Sequence, residues 1–144
     1  MKNAENIAGE RTRLNLYWDC TNGLRTHEEN RRFPTFTQHE RNEYERRYGA
    51  FVAGQNQRNA KAGHAKRNRT IDDLLGDARI CPEETIYQIG KEGDCPPPEV
   101  LTNVVLAFFT TMEERFGTNV HVLDWALHLD ETSPHIHARQ CSIS

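Results

Sequence analysis

Val120-His-Val-Leu-Asp-Trp-Ala-Leu-His128-Leu-Asp-Glu-Thr-Ser-Pro134-His135-Ile-His137 is the stretch that decides the architecture. Its first half is rich in Val, Leu and Trp and reads as a strand. Asp130 to Pro134 is a run of turn formers, and a second strand begins at His135. The pair reads as a β-hairpin. Side chains alternate along a strand, so Val120, Val122, Asp124, Ala126 and His128 are expected on one face. His135 and His137 share a face of the returning strand, and Ile136 points the other way, into a core. The folded hairpin then carries three imidazoles toward one point, stiffened by Pro134 just before His135. His121 is expected on the opposite face from His128.

Upstream of the hairpin, residues 99–116 form an apolar-striped helix. Val100, Val104, Phe108 and Met112 repeat every four residues, and Leu101, Val105 and Phe109 widen the stripe. Pro96-Pro97-Pro98 supplies a first-turn proline, and Gly117 is a natural stop. Residues 85–89 are β-rich. Residues 70–75 suggest a short helix ended by Gly76, and residues 63–69 are basic and irregular. Residues 37–62 read as helix, with Thr37 as N-cap, Glu40 three residues on, and Tyr44, Tyr48, Phe51 and Val52 on one face. Residues 11–17 alternate as a short strand, and Asn22-Gly23 marks a turn. The order predicts an α+β domain, an antiparallel sheet with helices packed on it.

The chain has 144 residues, the length of one domain, and is read as a single unit over residues 1–144. It contains no run of 18 apolar residues, so no membrane insertion is expected. The N-terminus lacks the apolar segment of a secretory signal. Cys20, Cys81, Cys95 and Cys141 are widely spaced with no Cys-x-x-Cys, which argues against a zinc ribbon and a disulfide framework. These features predict a cytoplasmic protein with reduced thiols. The net charge of −3 conceals an asymmetry. Residues 11–69 hold 13 Lys/Arg against 6 Asp/Glu, net +7, and residues 70–144 hold 4 against 13, net −9. A basic half beside an acidic, histidine-bearing half suits an enzyme acting on a polyanion; two solvated faces of opposite sign are the plainer alternative.

Three neutral imidazoles on a hairpin leave open metal positions for water or substrate, as catalytic centres require. His128, His135 and His137 are therefore the expected ligands, joined by Glu131; Asp130 or Glu131 could instead accept an imidazole N–H. A mixed imidazole and carboxylate set suits a divalent ion, Mn²⁺ first, with Mg²⁺ or Zn²⁺ as alternatives.

His128-Leu-Asp130-Glu131-Thr-Ser-Pro134-His135-Ile-His137 resembles the His-x-Asp-Glu-x-x-Pro-His-x-His motif of the Mob/Pre (MobV-type) plasmid mobilisation and recombination relaxases. His135-Ile-His137 is also similar to the wider HUH endonuclease pattern. The likeness covers residues 80–137 and is weak over residues 11–79. It implies an HUH-like relaxase domain that nicks one strand of plasmid DNA, single-stranded or supercoiled, at a transfer origin through a covalent protein–DNA link. It also implies that the family's sheet continues beyond residue 137, so the chain is expected to be a C-terminally truncated domain.

Most HUH enzymes use a Tyr nucleophile; the resemblance to MobV-type enzymes points to a His in an N-terminal His-x-x-Arg motif. His27 is the nearest match. It departs from the pattern, since Arg31 follows it by four residues, not three. His27, with Arg31 and Glu131, is the expected catalytic group, and Tyr17 is the alternative nucleophile. Arg25, Arg32, Arg58, Lys61, Lys66, Arg67 and Arg69 are the expected DNA contacts, and Trp18 and Trp125 could stack on bases, although Trp125 shares a face with Leu123 and Leu127 and suits a core. Two alternatives remain: a non-catalytic DNA-binding fragment of a relaxase, and a His-metal hydrolase acting on another substrate.

Overall fold

The structure, a computed structural model, describes residues 12–90, 96–129 and 133–142. The chain divides into two compact units, Met1–Pro34 with Glu83–Ser144, and Thr35–Pro82.

The first unit is built on five antiparallel strands. They are β1 (Leu16–Asp19), β2 (Gly23–Thr26), β3 (Glu83–Gln88), β4 (Val120–His128) and β5 (His135–Ser142), in the order β2-β1-β4-β5-β3. This is the α+β class expected from the sequence. β4 is central because its Leu123, Trp125 and Leu127 are fully apolar and nearly fully buried. Register sets the faces: Trp18 lies opposite Trp125, Trp125 opposite Ala138, and Leu127 opposite both Leu16 and Ile136. These side chains form one apolar face. The helix Pro98–Phe116 packs there; it is α4 once the shorter helices His27–Asn30 (α1), Phe36–Lys61 (α2) and Ile71–Gly76 (α3) are counted. Each large side chain buried in this layer contributes about 1.5–3 kcal/mol.

α4 is rotated from its expected orientation. Val100, Val104 and Phe108 are 46%, 47% and 39% exposed, whereas Leu101 and Val105 are buried. The neighbouring row Leu101, Val105, Phe109 faces the sheet because Phe109 stacks flat on Trp125, with ring centroids 5.2 Å apart and planes 10° from parallel. A planar stack on the central strand outweighs the alternative row, whose Phe108 meets the rings of Tyr87 and Phe109 at steep angles.

A bulge in β4 also changes the expected faces. Val122 lies opposite Gln140 and Asp124 opposite Arg139, so Leu123 is the extra residue. Asp124, Ala126 and His128 share a face as expected, but Val122 packs with the core. His121 lies opposite Cys141, which alternation puts on the face of His135 and His137. It is thus on the histidine face, not the opposite one, but seven residues up the strand from His128.

β1 begins at Leu16, later than the expected residues 11–17. Asn15, buried, spends its side-chain oxygen on the backbone N–H of Leu129 at 2.7 Å, which ties the start of β1 to the end of β4. The β1–β2 turn is organised by Asp19, which accepts the backbone N–H groups of Thr21 and Asn22. Gly23 then takes φ +82, a conformation few other residues adopt. Asp19 also accepts from Arg25 at 2.6 Å, with both side chains at most 1% exposed. Arg25 further donates to Asn30 and lies over the Phe33 ring at 4.7 Å. The expected role of Arg25 as a DNA contact is therefore corrected: its guanidinium is buried and holds the hairpin to α1.

In the second unit, α2 is capped by Thr35, whose hydroxyl accepts from the Gln38 N–H, and not by Thr37. Thr35 and Gln38 have the same three-residue spacing as Thr37 and Glu40, so either cap fits the pattern. Tyr44 is buried and donates to the Ile80 carbonyl, while Phe51, expected on the same face, is 64% exposed. The amide of Asn56 clamps the backbone N–H and carbonyl of Arg69. A single 3-10 turn, Ala65–Arg67, lies in the basic segment. α3 starts at a reciprocal cap between Thr70 and Asp73, and buries Ile71 and Leu74. Among the described residues, no helix is long and apolar enough to cross a membrane, and Cys20, Cys81 and Cys141 are not joined in disulfides.

Removing Arg25 leaves the Asp19 carboxylate buried without its cation. Arg25→Ala is expected to destabilise the first unit by about 3–5 kcal/mol. Urea unfolding followed by tryptophan fluorescence reads the loss, and an unchanged midpoint would refute the role given to this pair.

Candidate metal centre

The sheet face opposite α4 carries the ionisable groups. Tyr17 lies opposite Ala126, Ala126 opposite His137, and His128 opposite His135. Alternation places Tyr17, His128, His135 and His137 together on this face. Ala126 is the small residue between Tyr17 and His137, so a methyl stands where a larger side chain would crowd the rings. The His128 and His137 rings meet edge-on at 4.9 Å between centroids. Tyr17 meets His128 in the same edge-on manner at 6.5 Å. Three strands, β1, β4 and β5, thus deliver one cluster.

Two of the three imidazoles are oriented by partners on their Nδ1 atoms. His135 Nδ1 lies 2.6 Å from the Ser133 carbonyl. A carbonyl only accepts, so Nδ1 holds the proton and the lone pair of the neutral ring is on Nε2. His137 Nδ1 lies 3.3 Å from Glu84 Oε1, and the other oxygen of Glu84 is 3.9 Å from Arg139 Nη1. A carbonyl and a carboxylate behind the imidazoles are the partners that metal-bound histidines characteristically have. The donor set therefore fits a divalent ion held through Nε2. The nitrogens of His128, His135 and His137 do not all lie within 4.8 Å of one another, so closing on one ion requires rotation of the rings within this face. Glu131, the expected fourth ligand and catalytic carboxylate, lies with Asp130 outside the described residues.

The second half of the cluster is a hydrogen bond. Tyr17 Oη and His27 Nδ1 are 2.9 Å apart, and the rings lie 5.8 Å apart between centroids. His27 opens α1, whose capping box between Thr26 and Glu29 fixes the helix start and hence the ring. The two alternative nucleophiles of the sequence are therefore hydrogen-bonded neighbours, and Tyr17 stands between His27 and His128.

The expected DNA contacts divide. Arg32, Arg58, Lys61, Lys66 and Arg67 are exposed. Arg31 is exposed too and pairs loosely with Glu28 at 3.9 Å. Arg69 is engaged by Asp77 at 2.9 Å. Trp125 is buried between Trp18 and Phe109, parallel to both, which suits the core, while Trp18 is half-buried. Glu84 is the residue that sequence reasoning missed. It stands on an edge strand whose pairing with β5 no local pattern announces.

No protein-family model matches the chain, and no curated protein or solved structure matches it either.

His135→Ala and His137→Ala are expected to abolish tight Mn²⁺ binding in calorimetry. Glu84→Ala is expected to weaken it by about 10–100-fold, the usual effect of removing the acceptor behind a metal-bound imidazole. Unaltered affinity in both histidine variants would rule out the centre.

Proposed function

We propose that this chain is a relaxase-like, metal-assisted DNA strand transferase of the Mob/Pre type that acts on plasmid DNA in the cytoplasm. The observation that carries the reading is the Tyr17–His27 hydrogen bond on the sheet face that holds His128, His135 and His137. A nucleophile with a base on its hydroxyl, beside a cluster suited to a cation, matches the requirements of phosphoryl transfer. The motif at residues 128–137 and its resemblance to these relaxases support the same reading.

His128, His135 and His137 would hold the ion, which when bound polarises the scissile phosphate and offsets the charge of the transition state. Tyr17 Oη attacks phosphorus, and His27 Nδ1 accepts the phenolic proton. The bond between phosphorus and the departing sugar oxygen breaks, and that oxygen takes a proton from solvent. The product is a phosphotyrosyl link at Tyr17 and a free hydroxyl on the released strand. Reversal of these steps rejoins the strand. Arg58, Lys61, Lys66 and Arg67 supply sequence-independent attraction to the DNA backbone.

A second assignment of the same pair is favoured by the cations that follow His27 in the chain, Arg31 and Arg32. In it His27 Nε2 attacks and Tyr17 orients the ring through Nδ1. The two differ in the chemistry of the adduct, because a phosphohistidine is acid-labile and a phosphotyrosine is not.

The test is incubation of the chain with supercoiled plasmid and with single-stranded transfer-origin DNA, with and without Mn²⁺. Nicking with a covalent adduct is expected, abolished by Tyr17→Phe if the adduct survives acid. An acid-labile adduct that persists in Tyr17→Phe and vanishes in His27→Ala assigns the attack to His27. Salt-sensitive DNA binding without nicking would make the chain a non-catalytic DNA-binding fragment. Metal binding without any DNA affinity would make it a hydrolase of another substrate.

A further inference from the structure

The far end of β4 bounds a cavity of about 320 Å³ between α4 and strands β1 and β4. Its walls are aromatic and aliphatic, with Trp18, Trp125 and Phe109 on one side and Leu106, Met112 and Val122 completing them. The volume lies at the lower end of the range for small-molecule sites, about 300–1,000 Å³. Val122 is six residues from His128, so the cavity is roughly 20 Å along the strand from the histidine cluster.

Polar atoms line the cavity about as much as apolar ones do. Glu113, on the last turns of α4, is one of its lining residues, with Thr110 one turn earlier and His121 of β4. Among the described residues no Lys or Arg lines the cavity, and Glu113 forms no ion pair with any of them. A carboxylate without a countercharge beside stacked aromatic rings is complementary to a ligand with an apolar ring and a positive amine. The ring would leave water among Leu106, Phe109 and Val122, and the ammonium would meet Glu113 and the electron-rich rings.

We propose that this cavity is a binding site for a small arylalkylamine, a monocation with one aromatic ring on a short chain. The site is separate from the histidine cluster, and the proposal does not depend on the strand-transfer reading.

The chain's two tryptophans both line the cavity, so intrinsic fluorescence reports on it directly. The full chain is titrated with 2-phenylethylamine, 2-phenylethanol and 3-phenylpropanoate, which share the ring and differ in charge. The amine is expected to give a saturable change with Kd on the order of a millimolar, as fits so small a ligand. The alcohol is expected to bind about fivefold more weakly, the worth of one partly solvated ion pair, and the carboxylate more weakly still. Glu113→Gln, at an exposed position that leaves the fold intact, is expected to reduce amine affinity about fivefold and leave the alcohol unchanged. No saturable change with the amine overturns the proposal. So does equal affinity for amine and alcohol, or an amine affinity indifferent to Glu113→Gln.

Discussion

β4 is paired on both edges, to β1 on one side and β5 on the other, and everything in the first unit is located by that double pairing. Its odd residues Trp125 and Leu127 must leave water, and α4 supplies Leu101, Val105 and Phe109 to cover them. Burying one face dictates the composition of the other. Once Trp18, Trp125 and Ile136 are committed to the core, period-two alternation leaves Tyr17, His128, His135 and His137 no choice but the opposite face. A one-residue slip of either β1 or β5 would exchange a core side chain for an ionisable one, so the hydrophobic layer also fixes the histidine face.

That opposite face is costly to assemble. It gathers imidazoles, a phenol and the Asp19–Arg25 pair, none of which gains from being desolvated alone. The local solutions are specific. Asp19 has a guanidinium and turn N–H groups, His135 has the Ser133 carbonyl, His137 has Glu84, and His27 has the Tyr17 hydroxyl. Each contact also gives a polar group on that face a partner inside the protein.

Much of this was legible in the sequence because it was local. The hairpin at residues 120–137, the α+β class and the helix over residues 99–116 all follow from turn residues and periodicity. The shared face of His128, His135 and His137 follows from the hairpin alone. What escaped is non-local or one residue wide. The bulge at Leu123 leaves no mark in composition, yet it moved Val122 and His121 to different faces from those expected. The rotation of α4 was decided by one ring stack, Phe109 on Trp125, between two equally apolar rows. Glu84 required knowing that β3 lies beside β5. Tyr17 and His27 were each visible, but their contact depends on how β1, β2 and α1 close on themselves. Arg25 was read by its charge, and only the position of Asp19 shows that the charge is internal.

The hydrogen bond from Leu129 to Asn15 joins residues 114 positions apart in the chain, and it has a consequence for how the protein is made. The β1–β2 hairpin emerges from the ribosome ahead of β4, with Leu16 and Trp18 prepared for a partner strand that does not yet exist. At about 5–20 residues per second, β4 follows only after roughly 6–23 s. Throughout that interval the hairpin presents an unpaired backbone edge and a bare indole to the surrounding solution. Its shortness, four residues per strand, and the polar Asp19, Asn22 and Arg25 beside its turn limit what else can zip onto that edge. The later strand β4 thus retires the exposure created by the earlier β1–β2 hairpin.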